Sequence, residues 1–315
     1  MNKNVTYIPL TGGLGNQLFQ LAFGLSVCGE NQLMLEPVLA KPRKTEDGRP
    51  ELSAFVLPSN VTFFQGKKKV WLASKSSGYL LRMGIAPRNF EKRKFASTVL
   101  RFLGTFVVSN YFRTLLGIYS ANDVGFDSKA GLEKGKYIIG YHQTFRWASS
   151  KSNHFDMKTL KLVEPGQAVR NYKELSIIEK PLVVHVRLGD YKNEESFGIP
   201  SKEYYERAIS QLWGSGLYKK IWLFSDEPEL AIDYIPNQMF EHIRWIENIE
   251  GSSARTLEVM RFGHGYVIGN STYSWWGAYL SYNSKPVVIA PSPWFQKIIS
   301  PRDITPPEWQ RMNAW

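Results

Sequence analysis

One stretch constrains this chain more than any other: Pro181-Leu-Val-Val-His-Val-Arg-Leu-Gly-Asp190. Leu182 to Val186 predicts a buried strand that carries His185, Arg187 and Asp190 to the edge of a core. In open α/β sheets, ligands bind at the carboxyl ends of the strands. An arginine there offers a planar, permanently charged fork of donors that suits phosphate. The segment therefore predicts a phosphorylated ligand above a parallel sheet. His185 and Arg187 alternate to the same side of the strand. Asp190 lies past the strand, where it orients Arg187 or acts on a substrate. The plainer alternative is a surface salt bridge beside a satisfied histidine.

The same alternation organises the rest of the chain. Val5 to Leu10 reads as a strand and Thr11-Gly-Gly-Leu-Gly15 as a tight loop. Asn16 to Gly29 reads as a helix capped by Asn16, with Leu18, Phe19, Ala22, Phe23 and Leu25 at helical spacing. Gln32 to Leu35 and Tyr137 to Tyr141 read as strands, with Val61 to Phe64 and Val70 to Ala73 as short apolar runs. Residues 148 to 180 are polar, hold Pro165-Gly166, and predict a linker. Beyond it, Ile221 to Phe224, Ile243 to Ile246, Tyr266 to Ile268 and Pro286 to Ile289 read as strands, the last closing the series. Ser201 to Trp213, capped by Ser201, and Ser253 to Phe262 read as helices, and Asn270-Ser-Thr272 opens another. Strands separated by helices form βαβ units and a parallel sheet, so the fold class is α/β. The predicted domains are residues 1–165 and 166–315, with the tail packing back on the N-terminal one.

Charge and cysteine usage narrow the partners. The net charge of +11 favours anionic ones, without choosing among nucleic acid, acidic membrane and phosphorylated substrate. The single cysteine, Cys28, sits in an apolar helical pattern and reads as a core residue. The first residues lack the apolar region of a signal peptide. The longest apolar stretch, Val99 to Val108, is too short to span a bilayer. A soluble or peripheral protein is expected.

Three further segments carry chemistry. In Gly12-Gly-Leu-Gly-Asn-Gln17 the glycines admit a ligand to the backbone, and the helix start favours an anion. As a dinucleotide fingerprint it is poor: Phe19 and Gln20 stand where a third glycine belongs. A plain turn and helix cap is the alternative. Ser225-Asp226-Glu227 follows an apolar strand. Its carboxylates suit ribose hydroxyls or a guanine edge, or else the segment caps the turn before Pro228. Asn270-Ser-Thr-Tyr-Ser274 brings hydroxyls to a helix start, where they and the free amides make an anion cradle. Trp275-Trp276 reads as core packing. The basic clusters Lys67-Lys-Lys69 and Arg88 to Lys94 lack a stacking platform or groove-reading element, which argues against nucleic acid. They read as a solvated face or as contacts to anionic lipid.

Read together, these segments resemble glycosyltransferase family 11, the bacterial-type α-1,2-fucosyltransferases. The resemblance rests on Gly12-Gly-Leu-Gly-Asn-Gln-Leu-Phe-Gln20, His185-Val-Arg-Leu-Gly-Asp-Tyr191 and Asn270-Ser-Thr-Tyr-Ser-Trp-Trp-Gly277, with Ser225-Asp226 as a weaker motif. It implies a GT-B fold: two Rossmann-like domains facing across a cleft, the donor held by the C-terminal one and the acceptor mainly by the N-terminal one. It implies GDP-L-fucose as donor, inversion at the anomeric carbon and no metal.

Residue by residue, the resemblance implies Arg187 on the β-phosphate, His185 near the guanine and Asp226 at the nucleoside. Ser225 belongs to the same donor side, and Asn270, Ser271, Thr272 and Ser274 to the phosphate cradle. Gly13, Gly15, Asn16 and Gln17 would reach the phosphates or the fucose from the other domain. Asp190 is the candidate base, or a structural partner of Arg187. Leu188 replaces the second arginine of the family's motif. The acceptor implied is a β-galactoside-terminated glycan or a lipid-linked oligosaccharide, in surface polysaccharide or O-antigen synthesis. The expected location is the cytoplasm, peripheral at the inner face of the membrane, with contact to anionic lipid. Competing readings are a fucosyltransferase of other linkage, another GDP-sugar, and a nucleotide- or glycan-binding module without activity.

Overall fold

The computed structural model describes residues 5–40, 49–64, 117–121, 124–133, 136–150, 155–193 and 196–315. Both basic clusters and the run Val70 to Ala73 lie outside the described residues. The chain divides into two compact units. The first comprises Met1–Pro50, Leu57–Asp156 and Pro301–Asp303, and the second Glu51–Val56, Met157–Ser300 and Ile304–Trp315.

The first unit is a five-stranded parallel sheet. Its strands are β1 (Val5–Thr11), β2 (Gln32–Ala40), β3 (Val61–Phe63), β4 (Ile118–Ser120) and β5 (Tyr137–Ile139), in the order β3-β2-β1-β5-β4. A helix over Leu14–Cys28 returns the chain from β1 to β2. It buries Leu18, Phe19, Leu21, Ala22, Phe23 and Leu25 together with Ile8 and Leu10 of β1. The helix begins two residues before Asn16, with Gly13 as its N-cap. Asn16 is therefore a first-turn residue and not the cap, because Gly13 accepts the amides of Asn16 and Gln17. Cys28 is buried at the helix end, and burial pushes its thiol up to about 11.

The second unit is a six-stranded parallel sheet. Its strands are β6 (Leu182–Val186), β7 (Ile221–Ser225), β8 (Ile243–Ile246), β9 (Gly265–Ile268), β10 (Val287–Ser292) and β11 (Gln310–Asn313). The order β8-β7-β6-β9-β10-β11 is that of a doubly wound Rossmann sheet, reading 3-2-1-4-5-6 by first appearance. The α/β class and two parallel sheets agree with the GT-B expectation. Helix Lys202–Trp213 carries its apolar face as expected: Tyr204, Tyr205, Ala208, Ile209 and Leu212 are buried, and the helix packs on β6, β9 and β10. Ser201 caps it by accepting the Tyr204 amide at 3.2 Å. Trp275 and Trp276 are fully buried, and the Trp275 indole donates to the Ile304 carbonyl at 2.8 Å.

Three features differ from the sequence reading. Much of the expected linker is a helix over Gly166–Glu179, within the second unit. Its buried side is narrow, limited to Val169, Ser176 and Glu179, so the segment reads as polar. The series of strands does not end at Ile289: β10 continues to Ser292 and β11 pairs with it along the sheet edge. The β11 residues are mostly exposed, which erased the apolar signal. Finally, Glu51–Val56 belongs to the second unit, through a bridge between Phe55 and Leu162. Among the described residues no helix is long and apolar enough to cross a membrane.

Candidate functional site

In the second sheet the strand order reverses between β6 and β9, the two strands that flank the switch point. Ligands of open α/β sheets bind just beyond the carboxyl ends of the strands at such a point. The sequence carries its polar residues there. His185 is on β6, Arg187 one residue past it, Ser225 ends β7, and Asn270 to Ser274 follow β9.

Arg187 and Asp226 form the centre of this edge. Arg187 Nη1 lies 3.2 Å from Asp226 Oδ2, with both side chains about one-fifth exposed. The same carboxylate accepts the Leu188 amide at 2.9 Å on Oδ1 and the Gly189 amide at 3.0 Å on Oδ2. Asp226 thus fixes the guanidinium and the turn behind it together. Neither sequence reading of Asp226, a ribose acceptor or a cap for the helix at Pro228, anticipated this role. Gly189 is required by it: a Cβ there would fall onto Asp226 Oδ2. Ser225 Oγ accepts the Glu227 amide at 3.0 Å and shapes the turn that presents Asp226. Asp190 opens a short 3-10 turn to Asn193, and its side chain lies outside the described residues.

His185 is buried, and burial together with the Arg187 charge lowers its pKa to about 3. The imidazole is neutral at physiological pH. Its carbonyl accepts the Tyr205 hydroxyl at 3.1 Å, and its ring faces Tyr273 with centroids 6.1 Å apart. The Tyr273 hydroxyl donates to the Ser253 carbonyl at 2.7 Å. Burial, then the Glu51 carboxylate, holds that phenol well above its usual range.

The segment after β9 divides its labour. Asn270 is buried and donates its amide to the carbonyls of Phe197 and Gly198 at 3.1 and 3.0 Å, so it ties down a neighbouring loop. Ser271 caps helix Thr272–Tyr279 by accepting the Tyr273 amide. Ser274 is buried and donates to the Ser271 carbonyl at 3.2 Å. Thr272 is half-buried at the helix start. Ser271 and Ser274 thus shape the helix start at which the sequence predicts an anion cradle.

The first unit has a switch point of its own, between β1 and β5. Gln20 bridges the two strands, donating to Thr11 Oγ1 at 3.0 Å and to the Gly140 carbonyl at 3.1 Å. Asn16 Oδ1 accepts from Gln143 at 3.0 Å, and Gln17 donates to the Gly12 carbonyl at 3.0 Å. Gly13 and Gly15 shape the loop and first turn that present them.

The glycosyl transferase family 11 model matches residues 118–313, more than half of the chain. The chain belongs to glycosyltransferase family 11. Among curated relatives, this glycosyltransferase is similar to the Escherichia coli alpha-1,2-colitosyltransferase. The two are 27% identical over 98% of this chain and 99% of the relative. It is similar also to the Escherichia coli O-antigen biosynthesis glycosyltransferase WbnK, at 26% identity over 92% of this chain and 94% of that one. Among solved structures, the NodZ alpha-1,6-fucosyltransferase co-crystallised with GDP aligns over 88% of this chain and 92% of its own. The TM-score is 0.47 and the identity 13%.

Sequence reasoning missed several residues of this glycosyltransferase. Tyr205, read only as a core residue of its helix, and Tyr191, given no role at the end of its motif, both brace the site: the Tyr191 hydroxyl donates to the Asn270 carbonyl at 3.2 Å. Gln143 follows β5, and its position just past a strand end was the available signal. Glu51 carried no signal, because it lies in the least regular part of the sequence.

Proposed function

We propose that this glycosyltransferase is a galactoside α-1,2-fucosyltransferase that moves L-fucose from GDP-L-fucose to a galactose hydroxyl with inversion, in O-antigen or surface polysaccharide synthesis. One observation carries the reading: a guanidinium fixed by a carboxylate, at the switch point of a Rossmann sheet, beside a helix start. That is a site for a diphosphate. Family membership supplies the sugar transfer. The linkage and the polysaccharide context follow the names of the two curated relatives.

In this mechanism an acceptor hydroxyl attacks the anomeric carbon as the bond to the β-phosphate breaks. The hydroxyl proton goes to a base, and GDP leaves with the bonding electron pair. Negative charge grows on the β-phosphate oxygens. Arg187 neutralises it, aided by the amides at the start of helix Thr272–Tyr279. Asp226 keeps Arg187 and its turn in one geometry through the cycle, which limits reorganisation. Asp190 is the proposed base, tested by comparing the pH–rate profile of Asp190→Asn with wild type. Gly13, Gly15, Asn16 and Gln17 are proposed as the first unit's contribution to donor binding.

A second reading concerns the donor alone. The similarity to an alpha-1,2-colitosyltransferase extends over nearly the whole chain. Colitose is the 3-deoxy counterpart of L-fucose, so the two donors differ by one hydroxyl. The deciding experiment offers GDP-fucose, GDP-colitose and GDP-mannose with a panel of β-galactosides and reads the linkage by NMR. Transfer of fucose in α-1,2 linkage supports the reading. Faster transfer of colitose replaces the donor, and absence of transfer from any of the three overturns it. The proposed location, peripheral at the inner face of the membrane, is tested by co-sedimentation with anionic vesicles.

A further inference from the structure

We propose that Glu51 reads the base of the donor nucleotide, its Oε2 accepting the N1–H and 2-amino donors of guanine. This rests on the GDP-sugar reading above and adds to it the residue that selects the base.

Glu51 opens a 3-10 turn over Glu51–Ala54 and belongs to the second unit. Its side chain is buried, with 7% exposure. Oε1 accepts the Ser253 hydroxyl. Oε2 is sealed from solvent and has no hydrogen-bond partner among the described residues. Ser253 also ties Glu51 to the site, because its carbonyl accepts the Tyr273 hydroxyl at 2.7 Å and the Tyr273 ring faces His185.

Two more buried atoms without partners lie at this strand edge: His185 Nδ1 and Asn270 Oδ1. Buried polar atoms are nearly always paired, and leaving a carboxylate oxygen unpaired in a dry setting is costly. A carboxylate and a carboxamide oxygen only accept hydrogen bonds, and a neutral imidazole nitrogen can. The edge therefore complements a ligand that presents N–H donors. The diphosphate offers none. Guanine presents two adjacent donors, N1–H and the 2-amino group, which match a carboxylate. Adenine and uracil do not offer that pair.

The test titrates the full chain calorimetrically with GDP, IDP, 2′-deoxy-GDP and ADP. IDP lacks the 2-amino group, and 2′-deoxy-GDP lacks a ribose hydroxyl. A site built around a buried acceptor discriminates strongly against a ligand without the matching donor. Wild type is expected to bind GDP at least about ten-fold more tightly than IDP or ADP. Glu51→Ala is expected to lose about ten-fold or more in GDP affinity, with the GDP-to-IDP ratio falling toward one. The ratio for 2′-deoxy-GDP stays at its wild-type value. A merely structural role would lower all affinities together and leave the ratios alone. Glu51→Gln keeps the shape and one acceptor oxygen, so it gives an intermediate ratio and decides the matter if the alanine variant does not fold. An unchanged GDP-to-IDP ratio in the folded variants overturns the inference, as does a change confined to 2′-deoxy-GDP. Wild type that binds GDP and IDP equally overturns the inference alone. Wild type that binds no GDP overturns the GDP-sugar reading as well.

Discussion

Asp226 holds Arg187 at 3.2 Å while its two oxygens accept the amides of Leu188 and Gly189. One carboxylate thus sets both the position of the guanidinium and the path of the chain beyond β6. The two residues are 39 positions apart, each one residue past the end of neighbouring strands of one sheet. Arg187→Ala is expected to lower kcat by about 10²–10³ with little change in Tm, because the lost interaction forms with developing charge. Arg187→Lys does not rescue it, since a point charge lacks the planar fork. Steady-state kinetics and a thermal melt check both, and a variant that keeps more than about a tenth of wild-type turnover contradicts the assignment. Asp226→Asn is expected to lower both turnover and Tm, because an amide group would then face a donor.

Leu188 departs from the family's paired arginines, and the structure gives the departure a physical setting. Its side chain is 2% exposed and packs in the core beside Tyr204, Tyr205 and Val186. It packs into the core, while Arg187 beside it reaches Asp226. Leu188→Arg would restore the family pattern at the cost of a charge in an apolar core. The expected result is a Tm lowered by several degrees and no gain in kcat/KM. A variant with higher activity and unchanged Tm would show that the second arginine serves the donor.

Acid should unfold this protein through two histidines. His185 and His142 are both buried, and both are lowered to about 3, chiefly by burial. Below the ordinary pKa of 6.5 the unfolded chain takes up these protons and the folded one does not. The stability conferred is fully present above pH 6.5 and is lost as pH falls toward 3. Each histidine contributes a slope of at most about 1.4 kcal/mol per pH unit in that window. Urea unfolding at pH 7, 6 and 5 measures it. His142→Asn, which tolerates the left-handed backbone there (φ 54°), should reduce the slope by about half. A flat stability between pH 7 and 5 would mean that both histidines reach solvent.

What the sequence could reveal was limited by how contacts are made. The strand at Leu182–Val186 was legible because all five residues are buried, and Arg187 because it follows such a run. The helix Lys202–Trp213 was legible because its apolar face repeats at helical spacing. The helix Gly166–Glu179 was not: two of its three buried side chains, Ser176 and Glu179, are polar. Glu179 is buried because the Trp222 indole donates to it at 2.6 Å and Arg244 pairs with it, partners on two other strands. The role of Asp226 was hidden for the same reason, since its partners come from the neighbouring strand. Local pattern locates a polar residue at a strand end; it does not say which groups that residue binds.

The first unit offers the last test. Gln143 donates to Asn16 Oδ1 at 3.0 Å, which sets the oxygen toward Gln143 and the amide nitrogen the other way. That nitrogen sits over Gly12, whose φ of 69° and missing Cβ make the approach possible; a Cβ there would lie 2.5 Å from it. If Asn16 binds the donor sugar nucleotide and Gln143 only aims it, the two act through one hydrogen bond. Each alanine variant should then lose about five-fold in kcat/KM, the value of one neutral hydrogen bond. The double variant should lose no more than either single one, because contacting residues couple and do not add. Losses that multiply would assign Gln143 a contact of its own with the substrate. An Asn16→Ala variant with wild-type kinetics would remove the glycine loop from the donor site altogether.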